Sequence, residues 1–203
     1  MGLVIYLTLA GGCMKRPKNY AEWVKKEGGV EHPTHLETLQ QPEQLARIRW
    51  FKRHLPPKAS ILDLGCNWGY VSNLIGATTG VDINPENIEK AMREFPHIHF
   101  IQGDITKKWQ IDDKQYDVVV MAEVLEHIDD AKLGSVLLEA DRVARWKILI
   151  TMPWKKDDNY AYCFKHKWFP SSEKVMLIAQ SFCGVPKITI ECDGVFIYLE
   201  IIK

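Results

Sequence analysis

Two carboxylates and an imidazole lie close together in the segment Glu123-x-x-Glu126-His127, and another histidine, His166, follows further along the chain. Carboxylate and imidazole groups are common ligands of divalent ions such as magnesium, manganese, iron and zinc. The four side chains are therefore one candidate metal site. Without a metal, His127, His166 and Glu126 are the candidate catalytic residues, and His127 would contact the reacting molecule or a loop.

A glycine-containing turn with the pattern Asp63-x-Gly65-x-x-x-Gly69 follows Ile61–Leu64, a run short enough for a buried strand. Glycine has no Cβ and tolerates positive φ, so the strand can turn sharply and bring its backbone close to a ligand. The spacing differs from the G-x-G-x-x-G of dinucleotide-binding proteins, which disfavours a pyrophosphate over a helix N-terminus. An adenosine that carries an amino-acid tail fits such a loop better.

A short helix at about residues 70–75 and a second strand at about residues 78–83 follow this loop. The second strand ends in Asp82, whose carboxylate could accept two hydrogen bonds from a ribose diol. A strand, loop, helix, strand and acid in this order are typical of half of a doubly wound nucleotide-binding sheet.

The segment Ile61–Gly69, with sequence ILDLGCNWG, resembles motif I of the class I S-adenosylmethionine (SAM)-dependent methyltransferases, usually written D/E-x-G-x-G-x-G. Three later segments resemble that family's motifs in the right order: Val81–Asp82 the ribose-binding acid, Gly103–Ile105 the adenine-contacting segment, and Asp117–Ile128 the fourth strand and turn. The last has the Val-Leu-Glu-His form of the ubiquinone-biosynthesis-like branch (methyltransferase type 11/12). The resemblance covers about Pro57–Ile202. Asn67 replaces the middle glycine, but asparagine also enters the left-handed region at modest cost, so we expect the loop to keep its shape.

This resemblance implies an α/β fold: a Rossmann-like, doubly wound, seven-stranded sheet, mostly parallel with an antiparallel last strand, and helices on both faces. It implies SAM as the cofactor and S-adenosylhomocysteine (SAH) as the product, and we expect no divalent metal. The residues expected to bind the cofactor are Asp63, Gly65, Cys66, Asn67, Trp68, Gly69, Asp82, Ile83, Asp104, Ile105, Ala122 and Glu123.

Three functions remain open. The leading hypothesis is in-line transfer of a methyl group to an O, N or C atom of a small-molecule acceptor, which needs little more than positioning of the acceptor. The second rests on a resemblance of Glu123-x-x-Glu126-His127 and His166 to the metal site of the small-RNA 3′-terminal 2′-O-methyltransferases. The third is a non-catalytic SAM-binding or partner subunit. Aromatic residues after the fifth strand predict an acceptor pocket or a packed lid; they are Trp154, Tyr160, Tyr162, Phe164 and Trp168.

The composition limits which binding partners and which cellular compartment we expect for the chain. The chain carries 26 basic and 26 acidic side chains, so no overall charge attracts nucleic acid or an anionic membrane. Its 5 cysteines are odd in number and contain no C-x-x-C pair, which favours free thiols over a disulfide framework or a zinc–thiolate site. We expect a cytoplasmic monomer or homodimer that acts on a small molecule and makes no membrane contact; nucleic acid is the alternative partner.

Residues 1–56 are predicted to form an N-terminal extension with cap helices, and residues 57–203 a single SAM-binding domain. Met1–Gly12 is apolar and precedes Cys13, but it lacks the basic start of a signal peptide. We therefore expect either translation from Met14 or an extension that packs on the body.

A helix is predicted over Pro42–His54, its apolar face formed by Leu45, Ile48, Phe51 and Leu55. Its basic residues form a patch that binds an anion or nucleic acid or, as we favour, a solvated face; they are Arg47, Arg49, Lys52, Arg53 and His54.

Overall fold

The computed structural model describes residues 5–9, 42–154, 167–168, 170–182, 187–193 and 196–203. His166, Cys13 and three of the aromatic residues expected at the acceptor pocket, Tyr160, Tyr162 and Phe164, lie outside these ranges. Among the described residues, no helix is both long enough and apolar enough to cross a membrane.

The strands of the described ranges are β1 Ile5–Leu9, β2 Ile61–Leu64, β3 Thr79–Asp82, β4 His99–Gln102, β5 Tyr116–Ala122, β6 Ala144–Pro153, β7 Lys187–Cys192 and β8 Phe196–Ile202. The helices are α1 Pro42–His54, α2 Tyr70–Ile75, α3 Pro85–Glu94, α4 Asp130–Val143 and α5 Ser172–Gln180. A single turn of 3₁₀ helix covers Leu125–His127. Ser171 caps α5 by accepting a hydrogen bond from the backbone N–H of Lys174.

These strands form one sheet in the order β1-β7-β8-β6-β5-β2-β3-β4. Only β8 runs against its neighbours β6 and β7, while every other adjacent pair is parallel. The Rossmann-like sheet predicted for the later part of the chain is therefore confirmed, including its antiparallel last strand. One further strand, β1, extends the sheet by pairing with β7 from Ile5↔Ile188 to Leu9↔Cys192. The N-terminal extension thus covers what would otherwise be an open sheet edge.

Helices cover both faces of the sheet, as expected. Along β5, Val119 and Met121 face a core cluster that includes α4 and α5, whereas Val118 and Val120 face a cluster that includes α1 and α2. This alternation follows from the two-residue period of a strand. A parallel strand buried on both faces is apolar nearly throughout, which explains the continuous run of valines.

Helix α1 differs in part from its predicted amphipathic pattern. Ile48 and Phe51 are buried as expected, but Leu45 is 39% exposed and Arg47 is only 5% exposed. The solvated basic face therefore holds for Arg49, Lys52 and Arg53, which are exposed, and is wrong for Arg47. The reason is that Arg47 lies on the inward face of the helix, where it meets a buried carboxylate.

Candidate active site

A cavity of about 390 Å³ opens where the parallel strands β2, β3, β4 and β5 end, and α1 closes one side of it. Ligand sites in doubly wound sheets lie at this edge, and their volumes are about 300–1,000 Å³. Every residue expected to bind the cofactor lines this cavity except Gly69. His127 also lines it, as do Gln44 and Arg47 of α1.

In the loop after β2, three alternate residues have a left-handed backbone: φ is 72° at Gly65, 49° at Asn67 and 79° at Gly69. A Cβ on Gly65 would lie 2.6 Å from Cγ2 of Val124, so no larger residue fits there. The backbone N–H groups of Gly65 and Cys66 donate to the carbonyl of Val81, at 2.7 and 2.9 Å. Asn67 thus adopts a left-handed conformation, as expected.

Asp63 lies beneath this loop and is 1% exposed. The hydroxyl of Ser72 donates to its Oδ2 atom at 2.6 Å. Burial raises the pKa of Asp63 to about 7, against the opposing effects of the Ser72 hydrogen bond and the Arg47 charge. A carboxyl with this pKa changes its charge near neutral pH. A cation bound above it would therefore shift it toward the ionised form.

Asp82, the expected ribose-binding acid, is also the anchor of the loop. Its Oδ2 atom accepts from the backbone N–H of Asn67 at 2.9 Å. Its Oδ1 atom accepts from the backbone N–H of Asn84 at 2.9 Å and from the side chain of Asn87 at 3.2 Å. The same carboxylate therefore fixes the loop after β2 and the start of α3.

Trp68 forms part of the cavity wall and is held by α3. Its indole N–H donates to Oδ1 of Asn87 at 2.9 Å, and the ammonium of Lys90 lies 3.2 Å from the centre of its ring. Asn87 and Lys90 are three residues apart on one helix face, so both can contact the same ring.

Asp104 follows β4 at the far end of the cavity. It accepts from the backbone N–H and the hydroxyl of Thr106, at 2.9 and 2.7 Å. These hydrogen bonds hold the pKa of Asp104 below its usual value, so the carboxylate stays ionised.

Glu123 lies at the opposite end, directly after β5, with a left-handed φ of 57°. Its carboxylate accepts a hydrogen bond from Nη1 of Arg47, whose guanidinium lies 5.3 Å above the ring of Phe196. Burial raises the pKa of Glu123, while the positive charge of Arg47 opposes that shift. Arg47 is the only arginine or lysine among the described residues that line the cavity.

Sequence reasoning missed Gln44 and Arg47 as cavity residues. The signal was present, because Gln44, Arg47, Ile48 and Phe51 follow the i, i+3, i+4, i+7 spacing of one helix face. All four are buried. Two polar side chains on an otherwise apolar face indicate that this face borders a polar site.

Glu126 does not line the cavity, although it was predicted to be catalytic. The residue is 0% exposed, and neither carboxyl oxygen accepts a hydrogen bond from another described residue. Burial, and then the neighbouring charge of Glu123, raise its pKa well above the usual value. In a 3₁₀ turn successive side chains point about 120° apart, so His127 faces the cavity while Glu126 points into the protein.

The remaining predictions for this region concern metal and aromatic residues. No group of three or more His, Cys, Asp or Glu residues in the described ranges could hold a metal ion. His166 lies outside those ranges, so the four-residue metal site remains a hypothesis. Trp154 and Trp168 pack against the main core cluster, and the indole N–H of Trp168 donates to the carbonyl of Ile128 at 2.9 Å.

Comparison with known proteins identifies one domain of this chain. Residues 61–147 match the model of a methyltransferase domain. The chain is 29% identical over 119 residues to the 2-methyl-6-phytyl-1,4-hydroquinone methyltransferase of Synechocystis sp.. The matched region covers 52% of this chain and 35% of that protein. It is 33% identical over 90 residues to the ubiquinone biosynthesis O-methyltransferase of Rickettsia akari, covering 40% of this chain and 35% of that protein. The chain thus spans about a third of the length of these curated relatives.

A solved structure of a SAM-dependent methyltransferase from Thermotoga maritima has the same fold. It superimposes with a TM-score of 0.66 at 16% identity and covers 78% of this chain and 88% of that one. The motifs, the sheet order and the matching domain agree with one another. The chain therefore carries a methyltransferase domain at residues 61–147, in the fold of the SAM-dependent methyltransferases.

Proposed function

We propose that this protein binds SAM in the cavity at the carboxyl ends of β2–β5 and transfers the methyl group to an O, N or C atom of a small-molecule acceptor. The observation that carries the proposal is the cavity itself, which is lined by motif residues from four adjacent strands. The sheet order β5-β2-β3-β4 arranges these residues in a row. Asp104 and Asp82 stand at one end of the row, and Glu123 and His127 at the other.

This row suggests how the donor lies. The adenine would sit near Asp104 and Ile105, the ribose near Asp82, and the amino-acid tail over Gly65 and the loop after it. The donor's carboxylate needs a cation in a largely enclosed site, and Arg47 supplies one at the tail end of the cavity. The methyl group would then face the end of β5.

The reaction is an in-line displacement. The bond between sulfur and the methyl carbon breaks, its electron pair stays on sulfur, and the acceptor's lone pair forms the new bond to carbon. A proton leaves the acceptor, whether it is a hydroxyl, an amine or a carbon acid, and passes to water. Most of the acceleration can come from holding the acceptor about 3 Å from the methyl group, on the axis of displacement. His127 is the residue that we propose to contact the acceptor.

Two curated relatives support a small-molecule acceptor, since one is named for a hydroquinone and the other for ubiquinone biosynthesis. We also propose that the protein works in the cytosol, where the donor is a metabolite. Metal is not needed for this chemistry. We therefore expect a chelator to leave activity unchanged, whereas loss of activity on chelation and its recovery with one divalent ion would favour the RNA 2′-O-methyltransferase hypothesis.

Two measurements test the proposal. Calorimetric titration should show that SAM and SAH bind with dissociation constants on the order of micromolar. Incubation with SAM labelled on the methyl group and a panel of phenols, amines and carbon acids should then move label into one acceptor class. Absence of SAH binding would refute the function. Binding without transfer to any acceptor would favour the non-catalytic SAM-binding subunit.

A further inference from the structure

The 3₁₀ turn that presents His127 to the cavity is held by two consecutive residues that lie just before α5 in the chain. The backbone N–H of Lys167 donates to the carbonyl of Glu126 at 2.8 Å. The indole N–H of Trp168 donates to the carbonyl of Ile128 at 2.9 Å. These two carbonyls belong to the residues directly before and directly after His127. Residues 167 and 168 therefore fix the backbone on both sides of this histidine.

The turn has little internal support of its own. The backbone N–H of His127 donates to the carbonyl of Val124 at 3.0 Å, and the N–H of Ile128 donates to the carbonyl of Leu125 at the same distance. A 3₁₀ turn has poorer hydrogen-bond geometry than an α-helix, so its position depends on contacts from outside. Ile128 is only 5% exposed, so water cannot easily replace a partner that its carbonyl loses.

Trp168 is itself held by the core and by the two helices on that face of the sheet. Its ring packs against the core cluster that includes α4 and α5, and the ammonium of Lys174 lies 4.9 Å from the ring centre. The same ammonium lies 2.6 Å from Oδ1 of Asp130, the first residue of α4. Trp168 thus connects the turn to a fixed part of the molecule.

We propose that Trp168 is a positioning residue for methyl transfer: its indole N–H holds the turn so that the imidazole of His127 stays directed at the acceptor end of the cavity. This inference rests on the proposed function, in which His127 contacts the acceptor. Trp168 does not line the cavity, so it acts through the turn and not by touching a substrate. A misplacement of about 1 Å can lower the rate about a hundredfold, so the contact should matter for turnover.

Trp168→Phe tests this role, because phenylalanine keeps an aromatic ring against the core and removes the N–H. Label transfer from methyl-labelled SAM to the panel of phenols, amines and carbon acids gives kcat, and calorimetry gives the affinity for SAH. We expect kcat to fall roughly ten- to a hundredfold. SAH affinity should stay unchanged, because the residues assigned to the nucleoside lie elsewhere in the cavity. If this variant does not fold, benzothienylalanine at position 168 removes the N–H at nearly unchanged ring size.

A spectroscopic readout needs no acceptor. In protein whose histidine rings are isotope-labelled for NMR, the signal of His127 is the one missing from His127→Ala. Because His127 lines the cavity, saturating SAH should shift this signal in the wild-type chain. The shift should differ in Trp168→Phe, where the turn that carries the ring has lost one of its two outside contacts.

Trp146→Phe is the matched control. Trp146 is 49% exposed and lies outside the cavity, so the same substitution should leave kcat, SAH affinity and the His127 signal unchanged. The melting temperature of each variant checks that it is folded.

The double variant Trp168→Phe/His127→Ala separates positioning of His127 from any other effect on turnover. If Trp168 acts through His127, kcat of the double variant should equal that of His127→Ala, because coupled residues are not additive. A further loss as large as the one that Trp168→Phe causes alone would show that Trp168 acts by another route.

The possible results separate the two proposals. If the wild-type chain binds no SAH, both the function and this inference fail. If it transfers label and Trp168→Phe keeps its kcat, only the inference fails. A loss of SAH affinity as large as the loss of kcat would also overturn it, because Trp168 would then support the whole cavity. If the wild-type chain binds SAH but transfers no label, the function fails and the NMR signal decides. The same His127 response to SAH in both proteins overturns the inference, and a different response supports it.

Discussion

Arg47 and Glu123 form an ion pair between the inward face of α1 and the residue that follows β5. A buried ion pair contributes little net stability, because desolvation offsets much of the attraction, but removing one partner is costly. Such a pair is therefore better explained by a ligand that uses it than by stability. Here Arg47 lines the cavity and Glu123 accepts from its Nη1 atom, so the remaining N–H groups of the guanidinium can serve a bound carboxylate.

Replacement of Arg47 by methionine should weaken SAH binding by roughly ten- to a hundredfold, the effect of losing a charge-assisted hydrogen bond. Methionine keeps an aliphatic side chain against Phe196, so packing is largely preserved. Calorimetry measures the affinity and thermal unfolding measures the stability.

The double variant Arg47→Met/Glu123→Gln distinguishes a donor contact from a structural effect. The glutamine removes the buried carboxylate that Arg47→Met leaves without its cation. We expect the melting temperature to recover while SAH affinity stays low. Recovery of both would mean that Arg47 acts only by neutralising Glu123.

His127→Ala should lower kcat much more than it weakens SAH binding. His127 lines the cavity at the end of β5, beyond the residues assigned to the nucleoside, so its contact would be with the acceptor. A group that acts only after the donor is bound changes turnover and not donor affinity. His97→Ala is the control, because His97 is exposed and outside the cavity. An equal loss of donor affinity and turnover would assign His127 to the donor site instead.

Individual residues were predictable from the sequence where the backbone conformation of the site requires a particular residue type. Gly65 and Asn67 could be assigned because the turn requires residues that tolerate left-handed φ. Arg47 could not, because a basic residue on an amphipathic helix is normally solvated, and its partner Glu123 lies far away in sequence. The position of Glu126 outside the cavity was not predictable, because the sequence does not show that the residues after β5 turn as a 3₁₀ helix.

At the scale of elements, the local patterns predicted the helices and strands of the methyltransferase domain well. The observed α1, β2 and α2 have the bounds that the sequence suggested, and β3 is one residue shorter at each end. The partner of β1 was not predictable, because a parallel pairing between the first and the seventh strand joins residues almost as far apart as the chain allows. An apolar run such as Ile5–Leu9 indicates burial but does not indicate which strand it pairs with.

A chain that begins at Met14 lacks β1 and leaves β7 at the edge of the sheet. Translation from Met14, one of the two expectations from the sequence, would make residues 1–13 unnecessary for folding. The pairing changes this expectation for stability: the melting temperature should fall by several degrees, since a lost strand removes backbone hydrogen bonds and apolar contacts. SAH affinity should remain unchanged, because the cavity is formed by β2–β5 and α1, at the other side of the sheet. Equal melting temperatures would show that β1 contributes no stability, and a loss of affinity would show that it supports the cavity.

At the scale of the whole molecule, the carboxyls fall into two groups with opposite effects on stability. Asp104, Asp117 and Glu139 accept hydrogen bonds that hold their pKa values below the usual range, so they stabilise the fold above about pH 4 and lose that contribution as the pH falls. Burial raises the pKa of Asp63, Glu123 and Glu126 instead. These three carboxyls bind protons more tightly in the folded state than in the unfolded chain. Their contribution to the free energy of unfolding therefore falls as the pH rises from their unfolded to their folded pKa values.

For Asp63 this window runs from the ordinary value of 3.8 to about 7. The free energy of unfolding should therefore decrease between pH 5 and about pH 7 and then change little through this group. Asn in place of Asp63 carries no titrating proton and can still accept the hydrogen bond of Ser72, so Asp63→Asn should have a smaller slope over that interval. Urea denaturation at pH 5, 6, 7 and 8 measures both slopes; identical slopes would contradict the assignment.

The same group links stability to the donor. The ammonium of the donor's amino-acid tail would lie above the loop that covers Asp63, and a cation there favours the ionised carboxyl. SAH affinity of the wild-type chain should then rise as the pH increases from 6 to 8, with proton release on binding that is largest near pH 7. Calorimetry in two buffers of different ionisation enthalpy measures that release. Asp63→Asn should bind SAH without it, because the buried acid that titrates near neutral pH would be gone. Equal proton release in both proteins would assign the effect to another group and leave Asp63 as a structural acid held by Ser72.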